Sequence, residues 1–251
     1  MGEVIALASG KGGSGKSVIA ANLGIAFSKF GKKTLLVDAD LPMPNLDICV
    51  GLSEPPVTLY DVLAGTKPIE RATYRIYGGA EIIPCGRSLE AFFKADVRRL
   101  KGVIAKVRPN YDYVIMDTSS GLNKYNLSAI KAADEVLWVV NPDEPSITDT
   151  LRLKTAVDLF GIKTLGMVVN RVPAFGIVER RSLPKLSREE VERKLKCKIL
   201  GIIPETKHVT KATIMCKPLL EYKKSGDIVR AFRDLARNIL LPKTLPAPKA
   251  K

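Results

Sequence analysis

The chain has one histidine, His208, in 251 residues. A single imidazole cannot assemble a metal site, and no Ser–His pair for nucleophilic catalysis is suggested; His208 is expected in a surface loop. Cysteine is nearly as scarce. Cys49, Cys85, Cys197 and Cys216 are the four, with no C-x-x-C spacing, which argues against a zinc site or a disulfide framework and fits a reducing cytoplasm. No apolar run reaches the roughly 20 residues needed to cross a bilayer. The N-terminus leads straight into an apolar run from Glu3, so no signal peptide is expected. What remains is a globular composition, with 46% hydrophobic and 26% charged residues. The length suits one α/β domain with a sizeable core. The formal net charge of +14 suits an acidic partner, either nucleic acid or an anionic membrane. Because Lys and Arg are dispersed, it equally suits a solvated basic surface.

Apolar, β-branched segments recur at Glu3–Ala8, Lys33–Asp38, Glu81–Pro84, Tyr113–Asp117, Glu135–Asn141, Thr164–Asn170 and Lys198–Pro204. Helical spacing lies between most of them, at Val18–Phe30, Ala95–Val107, Asn126–Ala133, Ile147–Leu159 and Arg188–Leu195. Near-continuous apolar strands alternating with helices predict a mostly parallel sheet covered on both faces. Ligands of such sheets sit at the carboxyl ends of the strands, and polar residues cluster at those ends here.

The stretch Ser9-Gly10-Lys11-Gly12-Gly13-Ser14-Gly15-Lys16-Ser17 meets the pattern G-x-x-x-x-G-K-[ST] between a strand and a helix. Glycines let successive N–H groups turn inward toward phosphate oxygens, and the positive end of the following helix adds to the attraction. Lys16 is read as the point charge for the β- and γ-phosphates and Ser17 as a hydroxyl for Mg²⁺. The fold class this implies is α/β: a single P-loop NTPase domain over 1–241, a mostly parallel twisted sheet with helices on both faces. Residues 242–251, rich in proline and lysine, are expected to form a flexible tail.

Four strand ends carry further chemistry. Asp38 and Asp40 follow Leu35-Leu36-Val37, and Asn45-Leu46-Asp47 comes next; these also read as a turn aspartate and the start of a short helix. Asp117 closes Tyr113-Val114-Ile115-Met116 and precedes Gly121, an arrangement that holds Mg²⁺ through water in P-loop enzymes. Asn170 ends Met167-Val168-Val169 and is followed by Arg171; Pro204 and Glu205 end Gly201-Ile202-Ile203. Asparagine offers a donor and an acceptor to a purine edge, or serves a turn.

With its second lysine, Lys11, the loop resembles the deviant Walker A motif K-G-G-x-G-K-[ST] of the MinD/ParA ATPases, closest to their MinD-like, archaeal branch. Further matches run from Glu3 to about Arg237. The resemblance implies that ATP and Mg²⁺ bind at Gly10, Lys11, Gly12, Gly13, Ser14, Gly15, Lys16 and Ser17, with Asn170, Arg171, Pro204 and Glu205 beside the base. It implies that Ser17, Asp38, Asp40 and Asp117 form the metal surroundings, and that Gly121 senses the γ-phosphate. Lys11, Lys16 and Asp40 are the implied catalytic residues, Lys11 reaching the nucleotide of the other subunit in an ATP-dependent homodimer. Turnover is expected to be slow until a protein activator binds. The family usually reads D-x-P-A-G where this chain has Asp117-Thr118-Ser119-Ser120-Gly121, which predicts a more flexible loop. Thr206 also stands where the family continues with an acid. The C-x-x-C of the iron–sulfur scaffold relatives and the cluster cysteine of the nitrogenase iron protein are both absent.

The partner surface has two readings. Ile228, Phe232, Leu235 and Ile239 share one helical face and Arg230, Arg233 and Arg237 the other. That pattern suits an acidic membrane or a last core-packing helix. A MinD-like switch that positions the division site or another structure is the first expectation, cytoplasmic or peripheral at the inner face of the membrane. The alternative is a ParA-like ATPase whose dimer binds DNA non-specifically through residues such as Arg98, Arg99, Lys101, Arg180, Arg181, Lys223 and Lys224. A third is a nucleotide-binding regulator with no meaningful turnover.

Overall fold

The computed structural model describes residues 1–173 and 188–241. Its strands are β1 (Glu3–Ser9), β2 (Thr34–Ala39), β3 (Tyr74–Arg75), β4 (Glu81–Ile83), β5 (Tyr113–Ser120), β6 (Glu135–Val140), β7 (Lys163–Val172) and β8 (Ile199–Pro204). They form one sheet in the order β3-β4-β2-β5-β1-β6-β7-β8. All pairings are parallel except β3 with β4 at one edge.

The helices are α1 (Lys16–Lys29), α2 (Leu46–Cys49), α3 (Leu59–Ala64), α4 (Leu89–Lys94), α5 (Leu100–Val107), α6 (Lys124–Ile130), α7 (Glu144–Asp158), α8 (Arg188–Leu195), α9 (Lys207–Ile214), α10 (Leu219–Tyr222) and α11 (Asp227–Leu240). They cover both faces. Successive residues of a strand point to opposite sides, so Val4, Ala6 and Ala8 of β1 enter one core with α3, α5 and α6. Ile5 and Leu7 enter the other with α1 and α11.

The chain leaves β1 for β2 on one side, and later crosses from β5 over β1 to β6 on the other. Such a reversal opens a crevice at the carboxyl ends of the strands, and the phosphate loop sits there.

Several sequence expectations shift. The helix expected over Ala95–Val107 begins only at Leu100; Asp96 instead caps a single 3-10 turn, its carboxylate accepting the Arg98 N–H. His208 is exposed as expected, but it lies in the first turn of α9 rather than a loop. Thr206, standing where an acid was expected, caps that helix by accepting the His208 N–H at 3.2 Å. The apolar residues of α11 are buried against α1 and β8, so its pattern is that of a core-packing helix. Arg230 and Arg237 on its outer face pair with Asp227 and Asp234. Among the dispersed cations, Arg98 and Lys224 are paired with Asp96 and Glu221. Arg180, Arg181 and the tail 242–251 lie outside the described residues.

Candidate nucleotide site

β1 delivers the chain into a tight loop that only certain residues can make. Gly15 caps α1 in a left-handed conformation (φ 92°), and a Cβ there would strike the amide of Asn170. A Cβ on Gly10 would run into the backbone of Asp149 and Thr150. The Gly10 N–H donates to the Thr150 hydroxyl at 3.1 Å, so the loop is seated against the middle of α7. Gly12, Gly13 and Lys11 are exposed, and Ser14 is buried. A cavity of about 460 Å³ opens beside Gly13, Lys16 and Ser17, with Asp40, Asn45 and Ser120 on its other walls.

Lys16 is buried at the floor of this cavity. Burial lowers its pKa, and the charges of Asp117 and Asp40 partly offset this. Its ammonium donates to the hydroxyls of Ser9 at 3.0 Å and Ser120 at 2.5 Å. Sequence reasoning gave Ser120 no part in the site. The reason is that β5 does not end at Asp117 but continues through Ser120. Its pairing with β1 slips once, from Leu7 opposite Asp117 to Ser9 opposite Ser120. The extra β5 residue is a bulge, and it turns Ser120 toward Ser9. The segment expected to be flexible is held down: Thr118 donates to the Leu7 carbonyl at 2.8 Å, and Asn123 donates to the Ser120 carbonyl at 2.9 Å. The Gly121 N–H donates to the Ser9 carbonyl at 2.9 Å, a bond it must leave before it can meet a phosphate.

The acidic residues divide by their partners. Asp38 and Asp117 face each other in register across β2 and β5, both buried. Asp38 accepts the Asp40 N–H at 3.2 Å and the Leu46 N–H at 3.1 Å. It thereby caps α2, the role the sequence offered to Asn45, and ties down the loop between. Burial, then the neighbouring Asp117 charge, drive its pKa well above the carboxylate range. Both Asp117 oxygens are buried without a well-formed hydrogen bond. Burial pushes this carboxyl up to about 6, with Lys16 and then the nearby Ser17 hydroxyl acting in the opposite direction. Asp40 is partly exposed at the cavity wall; burial raises its pKa, while Lys16 and the Met43 N–H counter the rise.

A second cleft of about 300 Å³ adjoins the first, the two sharing Gly15, Val18 and Arg171. Pro204 and Glu205 from β8 and the start of α9 form its far wall. Asn170 lines it but is also structural: its amide donates to the Ser14 carbonyl at 2.7 Å. Arg171 adopts a left-handed conformation (φ 55°) and is exposed where the two spaces meet. Of the sequence-selected residues, Gly12, Gly13, Gly15, Lys16, Ser17, Asp40, Asn170, Arg171, Pro204 and Glu205 line these two connected spaces. Gly10, Lys11, Ser14, Asp117 and Gly121 lie beside them in the loop and strand ends without lining them, and Asp38 turns its oxygens to the backbone. Ser9, Ser120, Asn123 and Thr150 were missed. They are polar residues with ordinary local signals; Ser9 opens the loop itself, while Ser120, Asn123 and Thr150 reach it only through the fold.

Among the described residues no cluster of three or more His, Cys, Asp or Glu side chains forms a ready-made metal cage. The orphaned buried oxygens of Asp117 beside Ser17 do fit Mg²⁺, which typically binds through one or two carboxylates, waters and substrate phosphates. A strand–loop–helix lysine, a carboxylate at the adjacent strand and an adjoining cleft define the class: a P-loop nucleotide-binding protein.

Comparison with known proteins agrees. A family model described as an AAA domain matches residues 2–164. The chain is 37% identical to an uncharacterised ATP-binding protein of Methanocaldococcus jannaschii, covering 96% of this chain and 88% of that one. The septum site-determining protein MinD of Pyrococcus horikoshii, solved with Mg-ADP, superposes with a TM-score of 0.88 at 33% identity over 96% of this chain and 97% of that one. MinD in the MinC:MinD cell division complex of Aquifex aeolicus gives 0.84 at 31%, over 99% and 100%. The chain belongs to the MinD/ParA family of P-loop ATPases.

Proposed function

We propose that this protein is an ATP-hydrolysing dimeric switch of the MinD type, acting in the cytoplasm or at the inner membrane face to position a cellular structure. The observation that carries the reading is the convergence of Lys16, Ser17 and Asp40 on one cavity, with the Asp117 carboxylate buried behind it and electrostatically coupled to Lys16. Residues 1–241 form the ATPase domain and 242–251 the tail. ATP sits with its phosphates over Gly10 to Ser17 and its base in the cleft at Asn170, Arg171, Pro204 and Glu205. Mg²⁺ would be held by the Ser17 hydroxyl with Asp117 and Asp40 nearby, and would neutralise phosphate charge. Asp38 supports these residues from behind by fixing the loop that carries Asp40.

Asp40 accepts a hydrogen bond from the attacking water and orients it. Lys16 stabilises charge on the transferred group. Lys11, exposed at the rim, reaches across to the nucleotide of a second subunit, and Gly121 registers the γ-phosphate. A protein partner accelerates turnover; that the Aquifex relative is solved as a MinC:MinD complex supports partner binding. The test is light scattering and phosphate release with ATP or ADP. Lys16→Ala is expected to lose nucleotide binding, Lys11→Ala to bind ATP without dimerising, and Asp40→Ala to dimerise without turnover. A Lys11→Ala protein that dimerised and hydrolysed normally would remove the trans-lysine step. Normal turnover by Asp40→Ala would remove its catalytic assignment, and an absence of turnover in the wild type, even with its partner, would favour a regulator acting through its bound state alone.

The second reading, ParA-like contact with DNA, is favoured by the +14 charge together with the buried apolar face of α11. A phosphate backbone requires cations but no apolar insertion. Retention of duplex DNA by the ATP-bound Asp40→Ala protein, falling steeply with salt, would support it; ATP-dependent binding to acidic liposomes would support the membrane reading.

A further inference from the structure

We propose that Ser120 is a positioning residue that, with Ser9, latches the Lys16 ammonium and must release its N–H before the ammonium can turn two donors to phosphate. This rests on the nucleotide-site reading above and adds a regulating contact to it.

A buried ammonium needs acceptors. Lys16 has two hydroxyls: Ser9 at 3.0 Å and Ser120 at 2.5 Å. The two lie 3.5 Å from each other. Ser9 is not free to turn away, because its hydroxyl also donates to the Lys11 carbonyl at 2.9 Å. Ser120 is placed by the β5 bulge opposite Ser9, and Asn123 holds its carbonyl at 2.9 Å. Asn123 is itself anchored as the cap of α6, accepting the Tyr125 and Asn126 N–H groups. The Ser120 acceptor is thus presented by rigid elements rather than by a wandering loop. An alanine at 120, as in the usual D-x-P-A-G pattern, has no oxygen to offer. The ammonium has three N–H donors and two are committed to Ser9 and Ser120, so turning more than one N–H to phosphate oxygens makes phosphate compete with the Ser120 hydroxyl. Binding then exchanges one charge-assisted hydrogen bond for another, and the net affinity falls by the strength of the one given up.

The test uses the full chain with Mg²⁺ and a fluorescent ADP analogue, with ADP and ATP as competitors. Ser120→Ala is expected to tighten ADP and ATP alike, by about three- to tenfold in Kd. Ser120→Thr keeps the hydroxyl and is expected to restore the wild-type value. Tightening is the informative sign, since truncation that merely loosened the loop would weaken binding. Unchanged or weaker affinity in a folded Ser120→Ala protein overturns the latch. So does weakening confined to ATP, which would assign the hydroxyl to the γ-phosphate. Wild type that binds nucleotide dependent on Lys16 but indifferent to Ser120 removes the latch alone; wild type that binds none removes the site reading and the latch with it.

Discussion

Asp38 and Asp117 stand opposite one another on adjacent strands, equally buried and of one chemical type. One accepts two backbone N–H groups, and the other has neither oxygen well bonded. The contrast separates two uses of a buried carboxylate. Given donors, the group becomes a clamp for its own chain, here the loop from Asp40 to Leu46. Left without them, it retains lone pairs for a ligand, and the nucleotide-free fold bears the desolvation cost.

The contrast can be broken most severely at the clamp. Asp38→Ala removes both acceptors and leaves the buried Leu46 N–H and the partly buried Asp40 N–H unpaired, an expected loss of about 3 kcal/mol. Chemical denaturation should show it, with Asp40-dependent turnover lost as well. At the other aspartate the sign reverses. Asp117→Asn removes a poorly partnered buried charge and should stabilise the nucleotide-free protein by about 2 kcal/mol at neutral pH, while weakening Mg²⁺-dependent nucleotide binding.

The pH dependence of that gain follows from linkage. The Asp117 carboxyl is raised to about 6 in the folded state, so its protonated form favours folding. That contribution is complete below the ordinary carboxylate range and is lost as pH rises through about 6. The gap between wild type and Asp117→Asn should therefore be small in acid and widen toward neutrality. A gap that did not change with pH would mean that Asp117 is solvated. The smallest effect is the coupling between the two groups. A double-mutant cycle of Asp38→Asn and Asp117→Asn should return about 1 kcal/mol of relieved repulsion, and additivity would show that the carboxyls do not share charge.

Much of this was legible in the sequence. The strand–helix alternation gave the sheet and its two faces because parallel strands buried on both sides read as continuous apolar runs. The phosphate loop was legible because its glycines and lysine act locally. The β5 end was not: Thr118-Ser119-Ser120 reads as loop, and only pairing with β1 shows that it extends the strand. The Asn170 bond to Ser14 spans 156 residues, beyond any local pattern. Helix α9 escaped notice because only Ala212 of its residues is buried, and α10 because it is a single turn. The one clear local signal there was Thr206 as a cap.

The bond from Asn170 to Ser14 has a further consequence. It ties the end of β7 to the turn that holds phosphate, while Gly15, seated against the same amide, leaves no slack between them. The two ends of the ligand space are therefore held at a set spacing, like the jaws of a caliper. On the proposed binding mode a nucleotide would be measured for length as well as for its base: one too short to span from Pro204 to Lys16 would satisfy a single jaw, and would be discriminated against by geometry before any chemistry began.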